Sequence, residues 1–239
     1  MSVRLKFNLW MIVGLGLGVA LASFLIHSAL QRDGREQVMQ RANLLMAAAE
    51  ATRAYTTSFI KPQLDQRLEI EFLPQTVPAF AATETVIALR KQFPEYTYKE
   101  ATLNPTNPRD RTSDWEADLV NTFRADPART ELVGERMQGP IAALYIAKPI
   151  KISNPSCLSC HSTPSAAPAS MIKLYGEANG FGWKQDEIIG AQIVSVPVSA
   201  SEGKSNQTFY TIIGALVSLA VLALLIGNLL LGRTLPPRT

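Results

Sequence analysis

Two stretches of the chain, Phe7–Ile26 and Phe209–Leu231, contain no charged residue at all. Each holds roughly 20 residues or slightly more, enough to cross a hydrocarbon layer of about 30 Å as a helix rising about 1.5 Å per residue. Between them the pattern becomes periodic. From Arg32 to about Phe59 the composition favours helix, and Val38, Ala42, Leu45, Ala49 and Thr52 recur at steps of three and four, which predicts a buried stripe. Pro62 marks the expected end of that helix. A polar stretch punctuated by Pro74 and Pro78 follows, and Ala79–Phe93 then reads as a second helix closing before Pro94.

Tyr96–Ala101 alternates as a strand does. Asn104-Pro105-Thr106-Asn107-Pro108 must turn, because two X-Pro steps hold the preceding residues out of the α region. Ser113-Asp114-Trp115-Glu116 is a capping box, and the helix it starts carries Trp115, Leu119 and Phe123 on one face until Asp126-Pro127 stops it. Ile141–Ile150 and Ile188–Val198 are β-type runs. The connection between them is about 35 residues long, and a loop of that length in a compact domain usually carries function. The expected plan is an α+β domain flanked by two transmembrane helices. Its boundaries are a cytoplasmic N-terminus at 1–6, a first span at 7–27, a central domain at 28–207, a second span at 208–231 and a short cytoplasmic tail at 232–239.

Averages over the 239 residues hide this plan: 47% of them are apolar and the formal net charge is +3. Of the 23 basic residues, Arg4, Lys6, Arg233 and Arg238 flank the uncharged runs, while all 20 acidic residues lie between the runs. The central segment therefore has 19 positive against 20 negative charges, net −1. The basic excess belongs to the flanks and gives no basic patch for nucleic acid. With 14 Gly, 15 Pro and 2 Cys, collagen-like and disulfide-scaffold classes are excluded as well. The flanking cations place both ends on the cytoplasmic side and export the central domain, with Trp10 and Tyr210 near span ends. The expected location is the bacterial inner membrane, with the central domain in the periplasm. Ala20-Leu21-Ala22 also fits a signal-peptide cleavage site, but the apolar run continues through Phe24-Leu25-Ile26, which favours an uncleaved anchor; either way the domain is exported.

The long connection contains Cys157-Leu158-Ser159-Cys160-His161, the C-x-x-C-H attachment signature of a c-type haem. Two thiols at this spacing can each form a thioether with one vinyl group of a single covalent haem c, and the adjacent imidazole then lies beneath the iron as its proximal ligand. These are both of the chain's cysteines and one of its two histidines. Other uses of the motif fit less well. A disulfide across Cys157 and Cys160 would be a small strained ring that leaves His161 unexplained. A thioredoxin-like motif should open a long helix, against Pro155, Pro164 and Pro168. A tetrahedral zinc site needs a fourth ligand, and the remaining histidine, His27, sits at the membrane boundary. For the sixth iron position Met39, Met46, Met137 and Met171 are available, with His27 or an open position as alternatives. Met46 is the preferred candidate, since it lies deep in the first helix beside an Ala-rich surface that could admit a flat macrocycle.

Those residues, with Trp115-Glu116, Ser162-Thr163-Pro164, Tyr175-Gly176, Gly180-Phe181-Gly182-Trp183, the Asn104–Pro108 segment and the run Ile189–Pro197, resemble the Tll0287-like haem domain, formerly catalogued as DUF3365, over roughly Arg41–Val198. The resemblance implies a PAS-like antiparallel sheet with a long N-terminal helix and one c-type haem, attached by Cys157 and Cys160 and ligated by His161. It also implies a sensor domain that often precedes a signalling module. Where a member uses a cysteine of the N-terminal helix as the opposite ligand, this chain departs, because it has no third cysteine.

The leading expectation is a membrane-anchored periplasmic haem sensor of redox state or a small diatomic ligand. No signalling module follows Leu231, so it is expected to act through a separate signalling protein. The alternative is a tethered c-type cytochrome passing electrons to a partner, and a haem-free receptor is a weaker third. A homodimer is compatible with either leading reading. No catalytic triad or metal–carboxylate pattern points to an enzyme, and Glu100, Asp114 and Glu116 read as capping and surface carboxylates.

Overall fold

The computed structural model describes residues 3–234. Met1, Ser2 and residues 235–239, including Arg238 of the charge argument, lie outside the described residues. The chain divides into two compact units, Met1–Gln37 with Ser199–Thr239, and Val38–Val198.

The first unit is made of the opening part of α1 (Val3–Tyr55) and of α7 (Ser199–Thr234). Both uncharged runs are helical, and among the described residues they lie in two helices long and apolar enough to cross a membrane, Val3–Arg67 and Ser205–Arg233. Asn228 Nδ2 donates to Asn8 Oδ1 at 2.8 Å, and the rings of His27 and Phe209 meet edge to face at 5.5 Å. The boundaries expected at 28 and 207 fall inside this unit.

The second unit is α+β. Its four-stranded antiparallel sheet has the order β1-β4-β3-β2, with β1 Thr97–Thr102, β2 Leu132–Gln138, β3 Ile141–Lys151 and β4 Ile188–Pro197. β4 is buried at every position, because both faces of the sheet are covered. On one face Val38, Ala42, Leu45, Met46 and Ala49 of α1 pack on Tyr98, Leu144, Ile146, Val194 and Val196, with Ala82 and Val86 of α3 (Pro78–Leu89). On the other, Leu119, Val120 and Phe123 of α4 (Asp114–Ala125) pack on Ala101, Ala147, Ala191 and Ile193. The period-two alternation of the strands thus serves two helical layers. The Glu116 carboxylate accepts from the Ser113 backbone N–H at 2.7 Å, so α4 starts at its capping box.

Val38, Ala42, Leu45 and Ala49 of the stripe on α1 are buried and Thr52 is half-buried, and the helix, continuous with the first apolar run, does not end cleanly at Pro62. It runs on from Val3, passes through a π-helical turn at Thr56–Ile60, and closes in α2 (Lys61–Leu64). Pro62 has no N–H to give the carbonyl four residues back. The Lys61 N–H reaches Thr56 O instead, five residues back, which is the π-type bond. The long connection is less irregular than its composition suggests: it contains short helices α5 (Leu158–His161) and α6 (Ala169–Tyr175).

Candidate functional site

Where α1 ends, the α1-facing layer of the second unit opens into a cavity of about 440 Å³. Arg53, Thr57 and Lys61 line it from the helical segment, Glu100 and Thr102 from β1, and Ile150 and Ile152 from β3 and its exit. Phe72, Val77 and Phe80 add apolar wall, and Cys157, Cys160 and His161 close it from the long connection. Its size is that of a small-molecule or cofactor site. The three scarce residues of the C-x-x-C-H motif therefore share one cavity. Both cysteines are free thiols and half-buried. Burial pushes the Cys157 thiol up, against the opposing charge of Arg53.

The surroundings of His161 decide what its imidazole can do. Nδ1 lies 2.8 Å from Gly180 O, with Thr106 Oγ1 further off at 3.4 Å. A carbonyl only accepts, so Nδ1 carries the proton and Nε2 keeps its lone pair. The ring stacks on Trp183 at 3.9 Å between centroids. Burial moves the His161 pKa down, with the Gly180 bond opposing, which favours the neutral form that a metal ligand needs. Hydrogen bonding of the non-ligating nitrogen to a carbonyl is also how metal-binding histidines are oriented.

Two motifs that the sequence reads as turns hold this arrangement. Asn104 accepts from the Gly180 N–H and donates to Phe181 O, both at 3.3 Å. The backbone N–H groups of Gly182 and Trp183 donate to Ser162 O and His161 O at 3.0 and 3.2 Å. Gly180 has φ +84°, and a Cβ there would stand 2.8 Å from Thr106 Cα. Only glycine fits both the conformation and the space. Two free thiols, an oriented imidazole with Nε2 available and a mostly apolar cavity are the donor set and setting that a covalently held haem requires.

Met46 is not brought to this site. It is 1% exposed in the core between α1 and the sheet, and it does not line the cavity. Ala42 and Ala49, which share its face, are 0% exposed against the sheet, whereas the neighbouring Ala47 and Ala48 are exposed on the other side of the helix. The preference for Met46 as sixth ligand is corrected accordingly. Met171 is the methionine that lines the cavity. Glu100 also departs from expectation: it is no surface carboxylate but 3% exposed, accepting from Arg53 and, at 2.6 Å, from the Tyr98 hydroxyl. The available signal was register, since in an alternating strand Glu100 must share the inward face of Tyr98.

A family model described as "Tll0287-like: Tll0287" matches residues 31–197. No curated protein matches the chain. Among solved structures, the crystal structure of the cyanobacterial haem protein Tll0287 aligns with a TM-score of 0.51 at 14% identity. That alignment covers 66% of this chain and 94% of the other. At that identity the likeness shows the fold alone.

Proposed function

The chain belongs to the Tll0287-like family, and from that premise we propose that it is a membrane-anchored haem protein whose exported domain reads redox state or a small diatomic ligand. Cys157 and Cys160 hold one c-type haem through thioethers, and Nε2 of His161 is the proximal ligand. The observation that carries this reading is the His161 imidazole: Nδ1–H is committed to Gly180 O at 2.8 Å, so Nε2 is free in the cavity that both thiols line. The haem protein nature of the related cyanobacterial structure supports it. A haem held there supplies an iron that changes charge by one unit and has a sixth position for a ligand.

The residues of the chain supply the rest. Trp183 fixes the plane of the imidazole, and Phe72, Val77 and Phe80 keep the cavity apolar. Arg53 joins the cavity wall to α1, which is unbroken from Val3 to Tyr55. A change in charge within the cavity therefore acts on a side chain of the same helix that carries the first apolar run. On this reading the uncharged runs are membrane spans, the domain faces the periplasm as a PAS-like sensor, and the output passes to a partner protein. The second reading, a tethered cytochrome that carries electrons, is favoured by the half-buried cysteines, which would leave one haem edge accessible to a partner.

Carbon monoxide separates the two. A sensor with an accessible sixth position binds carbon monoxide when reduced, with a large shift of its absorption bands. An electron carrier with both axial positions filled by the protein keeps its spectrum. A colourless protein, after expression with haem-attachment machinery, would contradict both.

A further inference from the structure

Between α1 and β1 the cavity wall carries a polar cluster that haem attachment does not use. Arg53 donates to Glu100 Oε2, and the Tyr98 hydroxyl donates to Glu100 Oε1 at 2.6 Å. Glu100 and Tyr98 are 3% and 8% exposed. The Arg53 side chain is 26% exposed, so the pair is buried only on its Glu100 side; such a pair is seldom more stabilising than apolar side chains of the same volume, and packing gives no reason for it. Its position suggests a reason. Arg53 and Glu100 form part of the wall of a cavity otherwise lined by such residues as Phe72, Val77, Phe80 and Ile152. A guanidinium has five N–H donors in a rigid fork. Glu100 and Tyr98 cannot take them all, so donors remain on a side chain that itself forms the wall. In this low-dielectric setting a fixed cation with spare donors is a recognition element for a small acceptor of negative charge. The end of α1 and the π-helical turn after it offer Arg53, Ala54 and Thr57 to the cavity, with no thiol, thioether or imidazole among them.

Resting on the haem assignment above, we propose that Arg53 is the binding residue for a small anion of the azide or cyanide class, taken up in the cavity beside the haem. Glu100 sets the strength of that binding. Its carboxylate holds the guanidinium in place and competes with the incoming anion for the positive charge. The iron–porphyrin core of an oxidised haem, leaving its propionates aside, would carry one positive charge and attract the same anion, whereas carbon monoxide is neutral and a poor hydrogen-bond acceptor. Met171 is the competing occupant of the ligand position, since its thioether lines the same cavity.

The test uses the full chain in detergent, expressed with haem-attachment machinery. Sodium azide is titrated against the oxidised protein and carbon monoxide against the reduced protein, both followed by absorption. The wild type should bind azide saturably. Arg53→Lys, which keeps the charge and loses the fork, should weaken azide roughly tenfold, the scale of a charge-assisted hydrogen bond, and leave carbon monoxide within about twofold. Glu100→Gln keeps the shape and removes the competing charge, and should tighten azide by about threefold or more. A merely structural role for Glu100 predicts the opposite sign. The proposal is overturned by a wild-type spectrum that azide does not change, the result expected if Met171 ligates the iron. It is also overturned if azide affinity is unchanged in both variants, as it would be if the guanidinium served a haem propionate, or if Glu100→Gln weakens azide. A colourless wild type would instead remove the haem assignment itself, and this inference with it.

Discussion

At His161 one hydrogen bond decides which ring nitrogen is available. Its Nδ1–H is taken by Gly180 O, so the other nitrogen is the one left for a metal, and Trp183 keeps the ring from turning. The motif spacing made this histidine legible in the sequence. What orients it was not, since Gly180 lies nineteen residues further along and Thr106 fifty-five residues back. Met46 shows the converse. Helical spacing correctly makes it deep, but depth on α1 means the core rather than the cavity, because the sheet covers that face first. Met46→Ala is therefore expected to lower stability by about 2–5 kcal/mol through lost packing. The haem absorption of the folded variant should match the wild type, and a changed spectrum in that variant would return Met46 to the iron.

Asp110 makes a second prediction at this scale. Burial raises its carboxyl to about 6, with Glu100 adding to the rise while Arg109 and Lys99 oppose it. A folded-state value above the unfolded one means that the folded protein holds this proton more tightly. The resulting contribution to stability is complete below the ordinary carboxylate range, near pH 4, and is lost as pH rises through about 6. Asp110→Asn removes the cost of a buried charge. Thermal unfolding should find the variant more stable by about 1–2 kcal/mol above pH 7, after allowing for partial solvent screening, with no gain near pH 4. A gain that is equal at both pH values would refute this account of Asp110.

At the scale of elements, the sequence gives a good account of whatever is periodic and a poor one of whatever is irregular. The buried stripe of α1, the capping box of α4 and the apolar strands β3 and β4 all lie where hydropathy puts them. β2 escaped notice because it is an edge strand with few apolar residues, and its pairing with β3 supplies what its own composition lacks. The π-helical turn at Thr56–Ile60 could be anticipated only as a break near Pro62. The turn at Gly180–Trp183 is the element on which the site most depends. Gly180→Ala should cost more than Gly176→Ala, although both glycines have positive φ, +84° and +78°. A Cβ at Gly176 meets nothing within 4 Å, whereas at Gly180 it meets Thr106. Gly176→Ala should lower stability by backbone strain alone, about 1–3 kcal/mol, and leave the absorption spectrum intact. Gly180→Ala should add a steric clash with Thr106 and shift the spectrum by moving His161. Equal effects at the two glycines would mean that the Thr106 contact does not position the imidazole.

At the scale of the whole molecule, charge averages conceal the organisation and the uncharged runs disclose it. A mildly basic chain resolves into a near-neutral α+β unit and two helices able to span a bilayer. The polar cluster of Arg53, Tyr98 and Glu100 was beyond reach of the sequence because Arg53 lies forty-five and forty-seven residues before Tyr98 and Glu100 and meets them only when α1 lies on β1. The haem attachment, by contrast, is compressed into five consecutive residues, and it is the claim on which the functional reading stands. Intact-mass spectrometry of the purified full chain, expressed with haem-attachment machinery and denatured before analysis, tests it most directly. The account predicts a mass increase of one haem that persists in denaturant and is absent when both Cys157 and Cys160 are replaced by Ala. A chain that carries no added mass, or a haem that leaves on denaturation, would contradict it.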